Sequence, residues 1–191
     1  MALTVRPLTP ERFGDLEAIF NAKGCSVARG CWCMYYRVSG KSLTRPGDSQ
    51  RRSSKSALKA LAGKDPPPGL IGYRGETPVG WIALGPRAHY AKLAKSPVMK
   101  PVDEQPVWSI VCFVVPSEFR RQGVARELLA GATAYAKKRR VKLLEAYPVD
   151  KSESSVADAS WFGSKRMFDE AGFDEVARRR HDRPVVRLHV K

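Results

Sequence analysis

Three arginines, Arg120, Arg121 and Arg126, surround Gly123 and Ala125 where an apolar run gives way to a helical repeat. A helix start leaves backbone N–H groups unpaired and carries a partial positive charge. A diphosphate satisfies both, provided the main chain can approach it closely. Gly123 and the small Ala125 permit that approach, and the arginines add charge. The same residues could instead serve packing and surface charge, so the segment alone leaves both readings open. Two other phosphate-binding patterns are absent: no Gly-x-x-x-x-Gly-Lys-Ser/Thr occurs, and no Gly-x-Gly-x-x-Gly follows a strand.

A second cluster, Cys25, Cys31 and Cys33, raises the question of a metal. Cys-x-Cys is not the usual zinc spacing, and His89, His181 and His189 all lie far along the chain. No metal is therefore expected. Packing, or a pocket lined by Cys31, Trp32, Cys33, Tyr35 and Tyr36, suits these residues better.

The elements that must position these groups follow from periodicity. Leu3 to Leu8 alternates as a strand, and Thr9-Pro10 opens a helix with Phe13, Leu16, Ile19 and Phe20 on one face. Gly24 to Gly47 is irregular. Ser49 to Ala62 reads as a helix, stopped by Asp65-Pro66-Pro67-Pro68-Gly69. Leu70 to Tyr73 and Val79 to Leu84 form a hairpin whose turn does not look like a tight two-residue one. A short helix is expected within Arg87 to Ala94. Val107 to Val115 is nearly all apolar, as a strand buried on both faces should be. Arg120 to Arg140 then forms a long amphipathic helix. Lys142 to Ala146 is a strand, Asp150 to Ser160 a polar loop, and Ser164 to Ala171 a helix stopped by Gly172. Phe173 to Ala177 and Val185 to Val190 close the chain as strands. The plan is α+β, or mixed α/β, in one domain spanning 1–191.

Strand, Pro116, then Arg120-x-x-Gly123-x-Ala125 and an amphipathic helix resemble the acetyl-CoA signature of the GNAT superfamily of N-acetyltransferases. Met167-Phe168-Asp169-Glu170-Ala171-Gly172-Phe173, about 50 residues on, resembles that family's aromatic-x-x-x-Gly-Phe segment. The likeness covers Val79 to Val190; the first 70 or so residues agree only in element order. Cys31-Trp32-Cys33-Met34-Tyr35-Tyr36-Arg37, Pro78-Val79-Gly80-Trp81 and Ala146-Tyr147-Pro148-Val149-Asp150 resemble an uncharacterised bacterial branch of the superfamily, for which no acceptor is settled.

The resemblance implies a central, mostly antiparallel twisted sheet of six to seven strands with flanking helices. It implies an enzyme that moves an acetyl group from acetyl-CoA to a primary amine by direct attack on the thioester. The strands Val107 to Val115 and Lys142 to Ala146 would splay to admit the cofactor's pantetheine arm beside Phe113, Val114 and Val115. The pyrophosphate would meet Arg121, Gln122, Gly123, Val124, Ala125 and Arg126. An alkylammonium must lose a proton before it attacks, and Glu145 or Asp150, or Asp103 or Glu104, could take it. The family's usual proton donor to the leaving thiolate is a Tyr, and here that position is Phe168. Tyr147, Ser164, Cys112 or water would then substitute, with Tyr147 preferred. The acceptor pocket would be lined by Cys31, Trp32, Cys33, Tyr35 and Tyr36.

Composition bounds the alternatives. The chain has 191 residues, 43% hydrophobic and 28% charged, with a formal charge of +15. No run approaches the ~18 apolar residues of a membrane span, and Met1 to Arg6 lacks a signal-peptide pattern, so a cytoplasmic protein with reduced thiols is expected. The positive field favours a neutral or acidic small-molecule acceptor over a polycation or a protein, and leaves a homodimer open. Two rivals remain: a catalytically weak acyl-CoA sensor, suggested by Phe168, and a basic nucleic-acid-binding domain, suggested by the charge and by Arg178-Arg179-Arg180-His181-Asp182-Arg183. No helix-turn-helix, zinc-finger or aromatic RNA-binding signature accompanies those charges, so nucleic acid is disfavoured.

Overall fold

The computed structural model describes residues 2–38, 48–150 and 161–191. The polar stretch after Asp150, expected as a loop to Ser160, lies almost wholly outside the described residues. Strand β1 (Thr4–Pro7) leads through a 3-10 turn at Pro10–Arg12 into α1 (Phe13–Asn21), α2 (Ser26–Cys31) and α3 (Asp48–Leu61). A hairpin follows, β2 (Gly69–Arg74) and β3 (Thr77–Pro86), then α4 (Ala91–Ala94). The central unit is β4 (Trp108–Val114), α5 (Val124–Lys138) and β5 (Leu143–Ala146). Helix α6 (Lys165–Glu170) and strands β6 (Asp174–Arg178) and β7 (Pro184–His189) complete the chain.

The seven strands form one sheet in the order β1-β2-β3-β4-β5-β7-β6. Every neighbouring pair is antiparallel except β4 and β5. That single parallel pair requires a crossover, and α5 supplies it. One face of the sheet packs Leu16, Phe20, Trp32, Leu58 and Trp81 beneath the first three helices. The other packs Leu128, Leu129, Ala132 and Phe168 beneath α5 and α6. Removing a leucine of this kind from water contributes about 1.5–3 kcal/mol, so the apolar stripe of α5 fixes that helix to the sheet. Its close seat depends on small residues in the strands below. A Cβ at Gly80 would lie 3.0 Å from methyls of both Val124 and Leu128.

Three differences from the sequence reading have physical causes. Arg74 pairs with Thr77, so the β2–β3 turn is a tight two-residue one, with Gly75 at φ +60° accepting the left-handed backbone. Helix α2 arises inside the segment read as irregular; it is one short turn whose small residues Ala28 and Gly30 are buried, too short for a periodic signal. Helix α5 begins at Val124 rather than Arg120, because Arg121 (φ +60°) and Gly123 (φ +80°) are left-handed and cannot be helical.

Candidate active site

Strand β4 carries an irregularity where the chemistry was expected. On its β3 side Ala83 pairs with Cys112 and Leu84 with Ile110, so Val111 is an extra, bulged residue. On its other side β4 pairs with β5 only from Trp108 to Ile110, opposite Leu144 to Ala146. Beyond that point the two strands part. Val149 instead exchanges backbone bonds with Gly163 and Lys165, and the Asp150 N–H donates to the Asp182 carbonyl at 2.9 Å. The β5-facing edge of Val111 to Val114 therefore faces an opening, not a strand. Phe113 turns its ring into the opposite core, edge-on to Phe168 at 6.1 Å.

The opening leads to the start of α5. Among the described residues, no protein acceptor takes the N–H groups of Arg121, Gln122, Gly123, Val124, Ala125 or Arg126. The loop is held rigidly from both flanks while those groups stay free. Arg120 donates to the Val115 carbonyl at 2.9 Å and to the Gly24 carbonyl at 2.5 Å. Arg74 donates to Oε1 and to the carbonyl of Gln122 at 2.8 and 2.9 Å. Arg120, read from the sequence as extra charge for phosphates, has its guanidinium engaged by the carbonyls of Val115 and the distant Gly24. Arg121 projects into solvent, and Arg126 reaches Glu170 at 2.9 Å.

Glu145 and Tyr147 come together on the face of the sheet that carries α1 to α3. Glu145 is fully buried. Its Oε1 accepts from Arg87 and from the Tyr147 hydroxyl (2.6 Å), and its Oε2 accepts from Arg187 at 2.8 Å. The Tyr147 hydroxyl also lies 3.0 Å from Ser109 Oγ and accepts from Arg87 at 2.8 Å. Burial, and then the Glu145 charge, push the Tyr147 hydroxyl well above the usual tyrosine value. Tyr147 therefore stays neutral and keeps its proton. Neither Arg87 nor Arg187 was singled out from the sequence. A charge inside the otherwise apolar Val185-Val186-Arg187-Leu188 was the available signal, since a strand buries such a residue only beside a partner.

Of the other carboxylates considered, Asp103 joins this cluster through Arg187, while Asp150 and Glu104 do not. Asp150 is bound to Arg178 at 2.7 Å, and Glu104 is exposed. Asp103 receives two bonds from Arg187, at 2.6 and 3.0 Å. The Arg187 guanidinium holds the Asp103 carboxyl below the usual carboxylate range. A depressed folded value stabilises the protein above the unfolded value, and that stability is lost as pH falls through the folded one. Asp103→Asn should therefore flatten the acid limb of a melting-temperature curve below about pH 4. An acid limb with its original slope in that variant would show that the pair contributes nothing there.

The Cys31 to Tyr36 segment divides in two. Trp32 and Cys33 are buried, and Trp32 packs in the core, 5.0 Å from Phe20 and 6.1 Å from Phe13. Cys31, Tyr35 and Tyr36 are half-buried near the opening. Tyr35 and Tyr36 meet edge to face at 4.8 Å. Of the other donors considered, Ser164 caps α6 by accepting from the Met167 N–H, and Cys112 is half-buried on β4. Among the described residues no group of three or more His, Cys, Asp or Glu could hold a metal ion.

Comparison with known proteins agrees with this geometry. The model of the acetyltransferase (GNAT) family matches residues 34–159. No curated protein matches the chain. Among solved structures, a GNAT-family protein of Desulfovibrio desulfuricans aligns at TM-score 0.54 and 15% identity, covering 100% of both chains. The PaiA N-acetyltransferase of Thermoplasma acidophilum, solved with coenzyme A, aligns at 0.53 and 16%, covering 99% of each. An N-acetyltransferase of Staphylococcus aureus aligns at 0.53 and 14%, covering 100% of both. At such identities the structural likenesses show the fold, while the family model matches more than half of the chain. The seven-stranded, mostly antiparallel sheet with flanking helices is thus the fold of these proteins, and the chain belongs to the GNAT family of acetyltransferases.

Proposed function

We propose that the protein is an N-acetyltransferase that carries an acetyl group from acetyl-CoA to the primary amine of a small molecule. The observation that carries this reading is the six unpartnered N–H groups of Arg121 to Arg126, at the mouth of the gap between β4 and β5. Those groups suit a pyrophosphate. The open edge at Val111 to Val114 suits the amide groups of a pantetheine arm, with Phe113, Val114 and Val115 beside it. Main-chain N–H groups at the Val111 bulge are suited to the oxygen of the tetrahedral intermediate that forms when the amine attacks the thioester carbonyl. Collapse of that intermediate expels the coenzyme A thiolate and leaves the amide.

Tyr147, the first residue past the last paired position of β5, is the group assigned to the thiolate. Its one proton rests on Glu145 Oε1 and would have to turn to the sulfur as the thiolate forms, and its raised value makes it a hydrogen-bond donor to that charge more than a full proton donor. Glu145 has both oxygens engaged, so its part is to orient Tyr147, and solvent takes the ammonium proton. The nucleic-acid reading finds little support in the Arg178 to Arg183 run. Arg178 pairs with Glu175 and Asp150, Arg179 donates to three carbonyls, and Arg180 pairs with Asp182.

The test is release of free coenzyme A thiol from acetyl-CoA across a broad library of primary amines, with wild type and Tyr147→Phe in parallel. At least one amine should be acetylated. Tyr147→Phe should lower kcat about tenfold or more with KM for acetyl-CoA unchanged. Acetyl-CoA binding with no turnover of any amine would favour the sensor reading that Phe168 suggests.

A further inference from the structure

The turn between α1 and α2 is fastened to the loop that leads into α5. The Ser117 N–H donates to the Lys23 carbonyl at 2.9 Å. Arg120 reaches 96 residues back through Nη2 to the Gly24 carbonyl at 2.5 Å, while its Nε holds the Val115 carbonyl at 2.9 Å. The approach is close enough to require glycine. Gly24 is left-handed, at φ +83°, and a Cβ there would lie 2.9 Å from Arg120 Nη2 and 3.1 Å from Ser117 Cβ. Main-chain bonds, a guanidinium and a residue without a side chain thus meet at one seam.

The chain on either side gives the seam its importance. On one side Arg120 leads directly into Arg121 to Arg126, the stretch proposed for the pyrophosphate. On the other, Cys25 leads into α2 (Ser26–Cys31), then to Trp32 in the core and to Tyr35 and Tyr36 near the opening. Helices shorter than ~12–15 residues are marginal on their own in water, so α2, with 6 residues, keeps its place through its ends. Trp32, packed 5.0 Å from Phe20, supplies one end, and the seam supplies the other. A ligand that adds bonds on the Arg120 side makes opening of that loop costlier, and a segment fastened to the loop then opens less often. Resting on the coenzyme A reading of the α5 loop, we propose that Arg120 is a positioning residue that couples the two halves of the site: cofactor bound at Arg121 to Arg126 steadies α2, and with it the segment bordering the opening, through Gly24 and Lys23.

Backbone hydrogen exchange read by mass spectrometry, with and without saturating coenzyme A, tests this. In wild type the cofactor should slow exchange about tenfold or more over both 121–126 and 22–31. Arg120→Met should bind coenzyme A within about tenfold of wild type by isothermal titration, because it loses only side-chain bonds to carbonyls. It should keep the protection over 121–126 and lose that over 22–31. Gly24→Ala disturbs the seam from the other side and should lose the same protection. Protection of 22–31 that survives in Arg120→Met overturns the proposal; should that variant not fold, Gly24→Ala decides by the same criterion. Wild type in which coenzyme A binds and protects 121–126 alone also overturns it, with the cofactor reading intact. If coenzyme A does not bind wild type at all, the cofactor reading falls and the coupling falls with it.

Discussion

Gly123→Glu should lose coenzyme A affinity by about a hundredfold, equivalent to about 2.7 kcal/mol, while its far-UV circular dichroism stays native. The added carboxylate would stand at the start of α5, where six N–H groups have no acceptor among the described residues, and would take the place proposed for a phosphate. A Cβ at this position meets only Glu127 Oε1, at 3.8 Å, so the space is open and the fold is not crowded. The backbone conformation is the complication, because φ is +80° and a side chain there costs about 1–2 kcal/mol. Gly123→Asn separates the two effects, since asparagine tolerates left-handed backbone and brings no charge. It should keep most of the affinity. Isothermal titration with coenzyme A decides: a Glu variant that is folded and binds as tightly as wild type removes the loop from the cofactor site.

Glu145→Gln should destabilise the protein by about 3–5 kcal/mol in urea titration, the cost of stripping one partner from a buried ion cluster. Two guanidiniums, Arg87 and Arg187, converge on this one carboxylate, and neutralising it leaves them facing each other. Arg187 would retain Asp103, and Arg87 would retain the Tyr147 hydroxyl and the Met99 carbonyl. Adding Arg187→Met to Glu145→Gln should therefore recover part of the loss, because it removes one of the opposed charges. A loss below about 1 kcal/mol for Glu145→Gln would place the cluster with exposed pairs of little value.

How much of this was legible in the sequence depends on the scale of the interaction that decides each feature. The strand Val107 to Val115 announces itself as a continuous apolar run, as burial on both faces demands, and the stripe Val124, Leu128, Leu129, Ala132 and Ala136 through helical periodicity. The joint between β4 and α5 was legible as a place of interest because glycine, small residues and arginines gather there, and its N–H groups lack acceptors among the described residues. The start of α5 was misplaced by four residues, since no local pattern tells that Arg121 adopts left-handed backbone. Arg120 was misread for a similar reason: its partners, the carbonyls of Val115 and Gly24, include one 96 residues away. The cluster of Arg87, Glu145 and Arg187 joins three separate strands or turns, and only the folded sheet shows that Glu145 and Arg187 are register partners. Of the two readings left open for Cys31 to Tyr36, Trp32 and Cys33 take packing, because the left-handed backbone just past α2 turns them into the core.

The gap between β4 and β5 is made by main chain. It exists because one parallel neighbour sits in an otherwise antiparallel sheet, and because a bulge ends their shared ladder early. Side-chain replacement along Val111 to Val114 would change what the slot admits but would not close it, since closure demands a new strand register. A receptacle of that kind imposes few constraints on residue identity. Composition can drift far under such loose demands, and chains only 14–16% identical share the fold.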